Sequence, residues 1–254
     1  MTFEDIEAIE RATLAAVAPR TLEELDGWLL PFDNGTVGRA KSAVPLRHEA
    51  PPDAGGLVDR IEARYAAHDL PAAFRIADLP CFEALHVALL ERGYQRGKPT
   101  ITQTGDLNAL LALSPHAPGD VDTVPDTGWA SVFLGEGFDP VDGASRVQAL
   151  SRATGTLFGS VRENGRTVAA GAMALAHGWA SLHGMRTAQS AWGRGLAGRV
   201  MAGLAQAALA LGYERVFLQV ETGNAPALAL YRRAGFLPQW NYEYWTVPTS
   251  ACPD

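Results

Sequence analysis

The sequence predicts an α+β fold, a central and mostly antiparallel sheet flanked by helices. Three stretches carry that reading. Residues 157–175, LFGSVRENGRTVAAGAMAL, are two apolar runs around Glu163-Asn164-Gly165-Arg166, and an Asn-Gly pair supplies the positive φ angles that a tight hairpin needs. His177-Gly178 marks a second turn, so WASLHGMRT (179–187) adds a third strand and completes an antiparallel meander. From Gly195 to Leu211, Leu196, Val200, Met201, Leu204, Ala208 and Leu211 recur at helical spacing, and RVFLQV then reads as a strand.

Taken in order, the first element is a helix from Phe3 to Val17. Thr2 is its N-cap, Asp5 stands where a capping box needs a carboxylate, and Pro19 stops it. In the turn-rich stretch 27–46, Trp28–Leu30 and Val37–Val44 read as short strands around an Asn34-Gly35 turn. PPDAGGL (51–57) reads as a loop. Val58, Ile61 and Tyr65 have helical spacing, Ala73–Ala77 reads as a strand, and CFEALHVALLERGY reads as a helix stopping at Gly93, with a strand to follow.

Residues 114–127 gather prolines, glycine and aspartates without hydrophobic period, which divides the chain into 1–114, a linker at 115–127, and 128–254. Arg146–Ala153 is helical. After Gly212 closes the helix that begins at Gly195, Asn224 caps a short helix through Arg233, and Gly235-Phe236 ends it before a strand at Tyr242–Val247.

The 254 residues are 47% hydrophobic, enough to bury a substantial core. A net charge of -7 gives the whole molecule no basic footprint for nucleic acid or an acidic membrane. Cys81 and Cys252 show no paired spacing, so neither a disulfide nor a thiolate zinc site is expected, and a reducing cytoplasm fits. Six scattered histidines predict no metal. The first residues are acidic where a secretory signal is basic, and no unbroken apolar run reaches the ~18 residues of a membrane span. Asn34-Gly35-Thr36 has the form of a glycosylation sequon and reads as a turn.

GRGLAG (193–198) has the form G-x-G-x-x-G of dinucleotide-binding loops. Such loops follow their strand almost at once within a parallel sheet, whereas here Thr187 to Trp192 intervene and the upstream strands form hairpins. The physical content survives without that fold. Glycines let the backbone approach a bulky anion, and a helix amino end offers unpaired N–H groups and about half a positive charge. Asn164 through Tyr213 contains no Asp or Glu, while Arg186, Arg194 and Arg199 bracket the glycines. With a Debye length of about 8 Å at physiological salt, a bound diphosphate senses these arginines more than the distant acidic surface.

This order of elements, with TAQSAWGRGLAGRVMAGL followed by LQVETGNAPALALYRRAGF, resembles the GNAT superfamily of acyl-CoA-dependent N-acetyltransferases over residues 125 to 247. The family's pyrophosphate loop, Arg or Gln then x-x-Gly-x-Gly/Ala, falls on Trp192, Gly195 and Ala197, so Trp192 departs from the usual polar residue. The second signature, N-x-x-A-x-x-L-Y-x-x-x-G-F, is matched by Asn224, Ala227, Leu230, Tyr231, Gly235 and Phe236.

The resemblance implies acetyl-CoA as cofactor and a small-molecule or protein amine as acceptor. It places Trp192, Gly193, Arg194, Gly195, Leu196, Ala197 and Gly198 at the diphosphate, and Met185, Arg186, Thr187, Asn224 and Ala227 along the pantetheine arm. Tyr231 becomes the acid for the leaving thiolate, and Glu221 or His183 the base. The helix-strand order of residues 1–114 is similar to a second, degenerate GNAT-like domain. Its corresponding loop carries Asp53, which would repel diphosphate, so a substrate-shaping role is expected there. A non-catalytic acyl-CoA sensor and an interaction module are the other classes open to this sequence.

Overall fold

The computed structural model describes residues 1–248; Cys252 lies outside the described residues. Helix α1 (Phe3–Val17) begins as its cap predicts. Thr2 Oγ1 accepts the Asp5 N–H at 3.1 Å, the Asp5 carboxylate accepts the Thr2 N–H at 3.2 Å, and Ala18 leaves the helix with φ 40°. β1 (Thr21–Leu25) and β2 (Trp28–Phe32) form a hairpin around Asp26-Gly27, whose φ angles are 49° and 77°. β3 (Val44–Pro45) completes this three-stranded sheet.

The strand expected at Val37–Val44 is absent: Gly38–Ala40 is a 3-10 turn, and of that run Val44 joins a named strand. Asp-Gly has the same φ freedom as Asn-Gly, so the hairpin forms at Asp26-Gly27. Gly35-Thr36 is a bend held by Asp33, whose Oδ1 accepts the Gly35 N–H at 2.7 Å.

Helix α2 (Ala54–Ala67) starts inside PPDAGGL, the stretch read as a loop. Asp53 is its N-cap and accepts the Gly56 N–H at 2.9 Å. β4 (Ala73–Ala77), α3 (Glu83–Glu91), β5 (Gln95–Asp106) and the short α4 (Leu107–Leu111) follow. The segment read as a linker contains β6 (Asp120–Asp122), because Gly119 N–H bonds to Arg199 O at 2.8 Å and the next residues pair with the sheet edge.

α5 (Thr127–Ser131) and α6 (Pro140–Arg152) precede the meander β7 (Thr156–Glu163), β8 (Arg166–Ala176) and β9 (Trp179–Thr187). Asn164, Gly165, His177 and Gly178 all take the positive φ that the two turns require. α7 (Leu196–Ala210), β10 (Arg215–Glu221), α8 (Ala225–Arg233) and β11 (Leu237–Thr246) complete the described chain. No helix among the described residues is long and apolar enough to cross a membrane.

One eight-stranded sheet, ordered β4-β11-β5-β10-β9-β8-β7-β6, joins strands from both ends of the chain. It is mixed, because β9 and β10 run parallel while the other neighbours are antiparallel. α7 packs on one face through Val200, Met201 and Leu204 against Leu157, Met173, Leu182 and Leu218, each fully buried aliphatic side chain being worth about 1.5–3 kcal/mol. Gly159 sets that approach, since a Cβ there would lie 2.8 Å from Leu204 Cγ. α1 covers the opposite face, where Ile6 and Ile9 join Trp179 and Phe217 in the core.

Candidate active site

The parallel pair β9·β10 is short. Ala180, Ser181 and Leu182 pair with Val216, Phe217 and Leu218, and the pairing then stops, although β9 continues to Thr187 and β10 to Glu221. A bulge in β9 is the cause. Its register against β8 passes from Ala172↔His183 to Ala170↔Arg186, so Gly184 and Met185 together face Gly171. Bulges bend the strand that carries the extra residue. Gly184 supplies φ 60°, and Gly171 leaves the space that Met185 Sδ takes. Beyond the bulge lies a cleft of about 670 Å³.

Strand alternation divides the cleft walls. Leu182, Leu218 and Val220 face the α7 side, so their neighbours His183 and Gln219 face the other. Tyr231 reaches the α7 side from α8, whose start is fixed by Asn224 Oδ1 accepting the Ala227 N–H at 3.2 Å. Tyr231 is 8% exposed, with its ring against the edge of Phe236 at 5.7 Å. Burial pushes its phenol up to about 12, so it stays protonated throughout the neutral range.

His183 is buried, its Nε2 2.9 Å from Ser181 Oγ, and that hydroxyl donates to Ala174 O at 3.3 Å. The Ser181 oxygen therefore presents a lone pair, which places the imidazole proton on Nε2 and leaves Nδ1 an acceptor with no protein partner. Burial, and then the Arg39 charge, hold this ring well below the usual histidine range. Glu221 is exposed at the end of β10 and lines the cleft with Tyr231, His183, Met185, Arg186 and Asn224.

The glycine loop stands at the amino end of α7. Gly193 and Gly195 have φ 74° and 72°, and a Cβ at either would meet nothing within 4 Å. Gly195 is the N-cap without a side-chain cap, and the N–H groups of Gly193, Arg194, Gly195, Leu196 and Ala197 have no acceptor among the described residues. Gly198 differs: its N–H bonds to Gly195 O at 3.0 Å, and its Cα side packs near Ser114. Trp192 braces the loop, its Nε1 donating to Thr187 O at 2.7 Å while the ring stays exposed.

The arginines expected around the loop are largely committed elsewhere. Arg194 forms a two-point ion pair with Glu163 at 2.7 and 2.9 Å, because the β7–β8 hairpin places the first acid outside the acid-free window beside the loop. Arg199 donates to Ala117 O at 2.8 Å. Arg186 sits in the cleft wall, 4.1 Å above the Phe138 ring and 3.6 Å from Asp142. Burial, with neighbouring Arg146, lowers its pKa. Main-chain N–H groups thus carry most of the loop's positive potential.

Sequence reasoning missed Arg39, Lys41, Lys98, Arg146, Gln219 and Tyr242, which also line the cleft. Arg39 and Lys41 sit in a turn-rich stretch whose positive charges were its one available signal.

With the fold and the cleft in place, the similarities that follow make this a GNAT-type acetyltransferase, a class that generally uses acetyl-CoA. The chain belongs to the family described as "Probable histone acetyltransferase Rv0428c C-terminal", which matches residues 3–245. It is similar to "Uncharacterized N-acetyltransferase YobR" of Bacillus subtilis (strain 168), at 25% identity over 95% of this chain and 98% of that protein. A GCN5-related N-acetyltransferase structure from Kribbella flavida shares the fold, with TM-score 0.70, 18% identity and 96% of each chain covered. So does a tandem GNAT protein from the clavulanic acid biosynthesis pathway, with TM-score 0.59, 14% identity and 97% of each chain covered.

Proposed function

We propose that the protein moves an acetyl group from acetyl-CoA directly to a primary amine. The observation that carries this reading is the set of five N–H groups from Gly193 to Ala197 without a partner among the described residues, in the loop that follows the cleft-lining end of β9. Unsatisfied donors at a helix amino end suit a diphosphate. The main chain at Gly193–Ala197 holds the phosphates, Trp192 flanks them, and Met185, Arg186, Thr187, Asn224 and Ala227 border the pantetheine arm.

When bound, acetyl-CoA supplies an acetyl group activated as a thioester. Tyr231 donates its hydroxyl proton toward the departing sulfur. A main-chain N–H at the bulge near Met185 would be the donor for the oxygen that gains negative charge. Of the two expected bases, Glu221 accepts the amine proton through solvent, because an imidazolium at His183 would be buried beside the Arg39 charge. His183 stays neutral, and its Nδ1 accepts an N–H of the incoming amine, which orients the nitrogen lone pair. Residues 36–42 and 95–100 close the cleft's acceptor side. Calorimetry with acetyl-CoA, followed by thiol release across an amine panel, tests the reading; no heat with acetyl-CoA ends it.

A further inference from the structure

Although the protein carries a net charge of -7, its cleft is cationic. Arg146 and Arg186 share one carboxylate, Asp142, at 2.6 and 3.6 Å. Arg39, Lys41 and Lys98 have no carboxylate partner among the described residues, against Glu221 as the one unengaged acid of the lining. Arg39 belongs to the acceptor side. Arg39 Nη1 donates to Gln219 Oε1 at 3.0 Å, and Gln219 lies on the sheet face opposite α7, away from the open N–H groups of the glycine loop.

The turn that carries Arg39 is held in place by its neighbours. Gly38 lies against the Tyr244 ring, where a Cβ would come within 2.9 Å of Cε1, and Ser42 Oγ donates to Gly38 O at 2.8 Å. One Arg39 nitrogen is spent on Gln219, so the other edge of the fork remains for a planar anion, the geometry in which arginine binds a carboxylate through two parallel bonds. Two buried polar atoms beside it lack partners: His183 Nδ1, an acceptor on a ring 4% exposed, and Gln219 Nε2, a donor.

A donor pair for oxygen and an acceptor for N–H, set side by side, describe the two ends of one small molecule. We infer that the acceptor is a small amine carrying a carboxylate, with the carboxylate on Arg39 and Gln219 Nε2 and the amine on His183 Nδ1. A lysine-rich basic peptide is disfavoured, because its flanking charges would meet Lys41 and Lys98, which have no carboxylate partner among the described residues. This inference rests on the acetyl-transfer reading of the same cleft.

The test uses the full chain, acetyl-CoA and matched amine pairs, each amino acid beside its carboxamide, with a basic peptide as third arm. The acid of a preferred pair is expected to have kcat/KM at least about tenfold above its amide, the usual scale of a charge-assisted bond, mostly through KM. Arg39→Met removes the difference by raising KM for the acid, and Arg39→Lys restores part of it; a misfolded variant would lose acetyl-CoA binding as well. Equal rates for acids and amides, or a preference for the basic peptide, overturn the inference while leaving acetyl transfer intact. Failure to bind acetyl-CoA overturns the acetyl-transfer reading and this inference with it.

Discussion

Two helices of this protein start on glycines and end up with opposite electrostatics. At α2, Asp53 caps the helix, and its carboxylate takes the Gly56 N–H; a Cβ on Gly56 would collide with that carboxylate, so the glycine makes room for an internal anion. At α7 the cap is Gly195, no side chain reaches the first turn, and Gly193 and Gly195 serve their positive φ while opening onto empty space. Glycine content alone therefore says nothing about anion binding. What decides is whether the protein has supplied its own carboxylate to the helix end.

Placing a carboxylate at α7 should give the largest effect. Gly195→Asp, a residue that tolerates left-handed φ, is expected to weaken acetyl-CoA binding by about 100-fold or more, because a fixed negative charge would then stand at the proposed phosphate position. Unchanged affinity in calorimetry would show that the open N–H groups are not the phosphate site. Tyr231→Phe should come next, with kcat lowered by about 100-fold or more and acetyl-CoA binding retained, if the hydroxyl acts on the leaving group as proposed.

The third test concerns protonation. Because burial, and then the Arg39 charge, hold His183 well below its ordinary range, the ring should stay neutral where a free histidine titrates, and the kcat/KM profile should show no step near 6.5 that His183→Asn removes. Disappearance of such a step in the variant would instead assign the ring a proton-accepting role.

The smaller effects sharpen the contrast between the two helices. Asp53→Ala should cost about 1 kcal/mol of stability in denaturant unfolding, as the loss of an N-cap does, and leave acetyl-CoA affinity alone. Glu163→Gln frees Arg194 from an exposed ion pair worth roughly 0–1 kcal/mol, so stability should barely move. A modest gain in acetyl-CoA affinity is expected there, and a loss would mean that the pair positions the loop.

Much of this contrast was legible in the residues. Asn164-Gly165, His177-Gly178, Gly195 and Asn224 each have a local conformational requirement that neighbours a few positions away satisfy, and every one holds its expected turn or cap. Where two short-range solutions compete, the sequence is ambiguous. Asp26-Gly27 and Asn34-Gly35 are both turn formers, and pairing of Trp28 with Pro45 and Leu25 selected the first for the hairpin. In PPDAGGL, helix-breaking glycines mask a cap whose donor lies three residues on.

The order of the meander, the uncapped glycine start of α7 and the capped helix carrying Tyr231 were determined by the sequence itself, because each rests on contacts within one or two turns of chain. Tertiary structure alone decided the charge and shape of the cleft. Arg39 meets Gln219 across 180 positions, Arg194 is neutralised by a hairpin tip, and β11 enters between β4 and β5. Long-range pairings of this kind have no local conformational signature: they follow from burying a whole sheet at once, and a linear pattern does not encode which distant side chains that burial brings together.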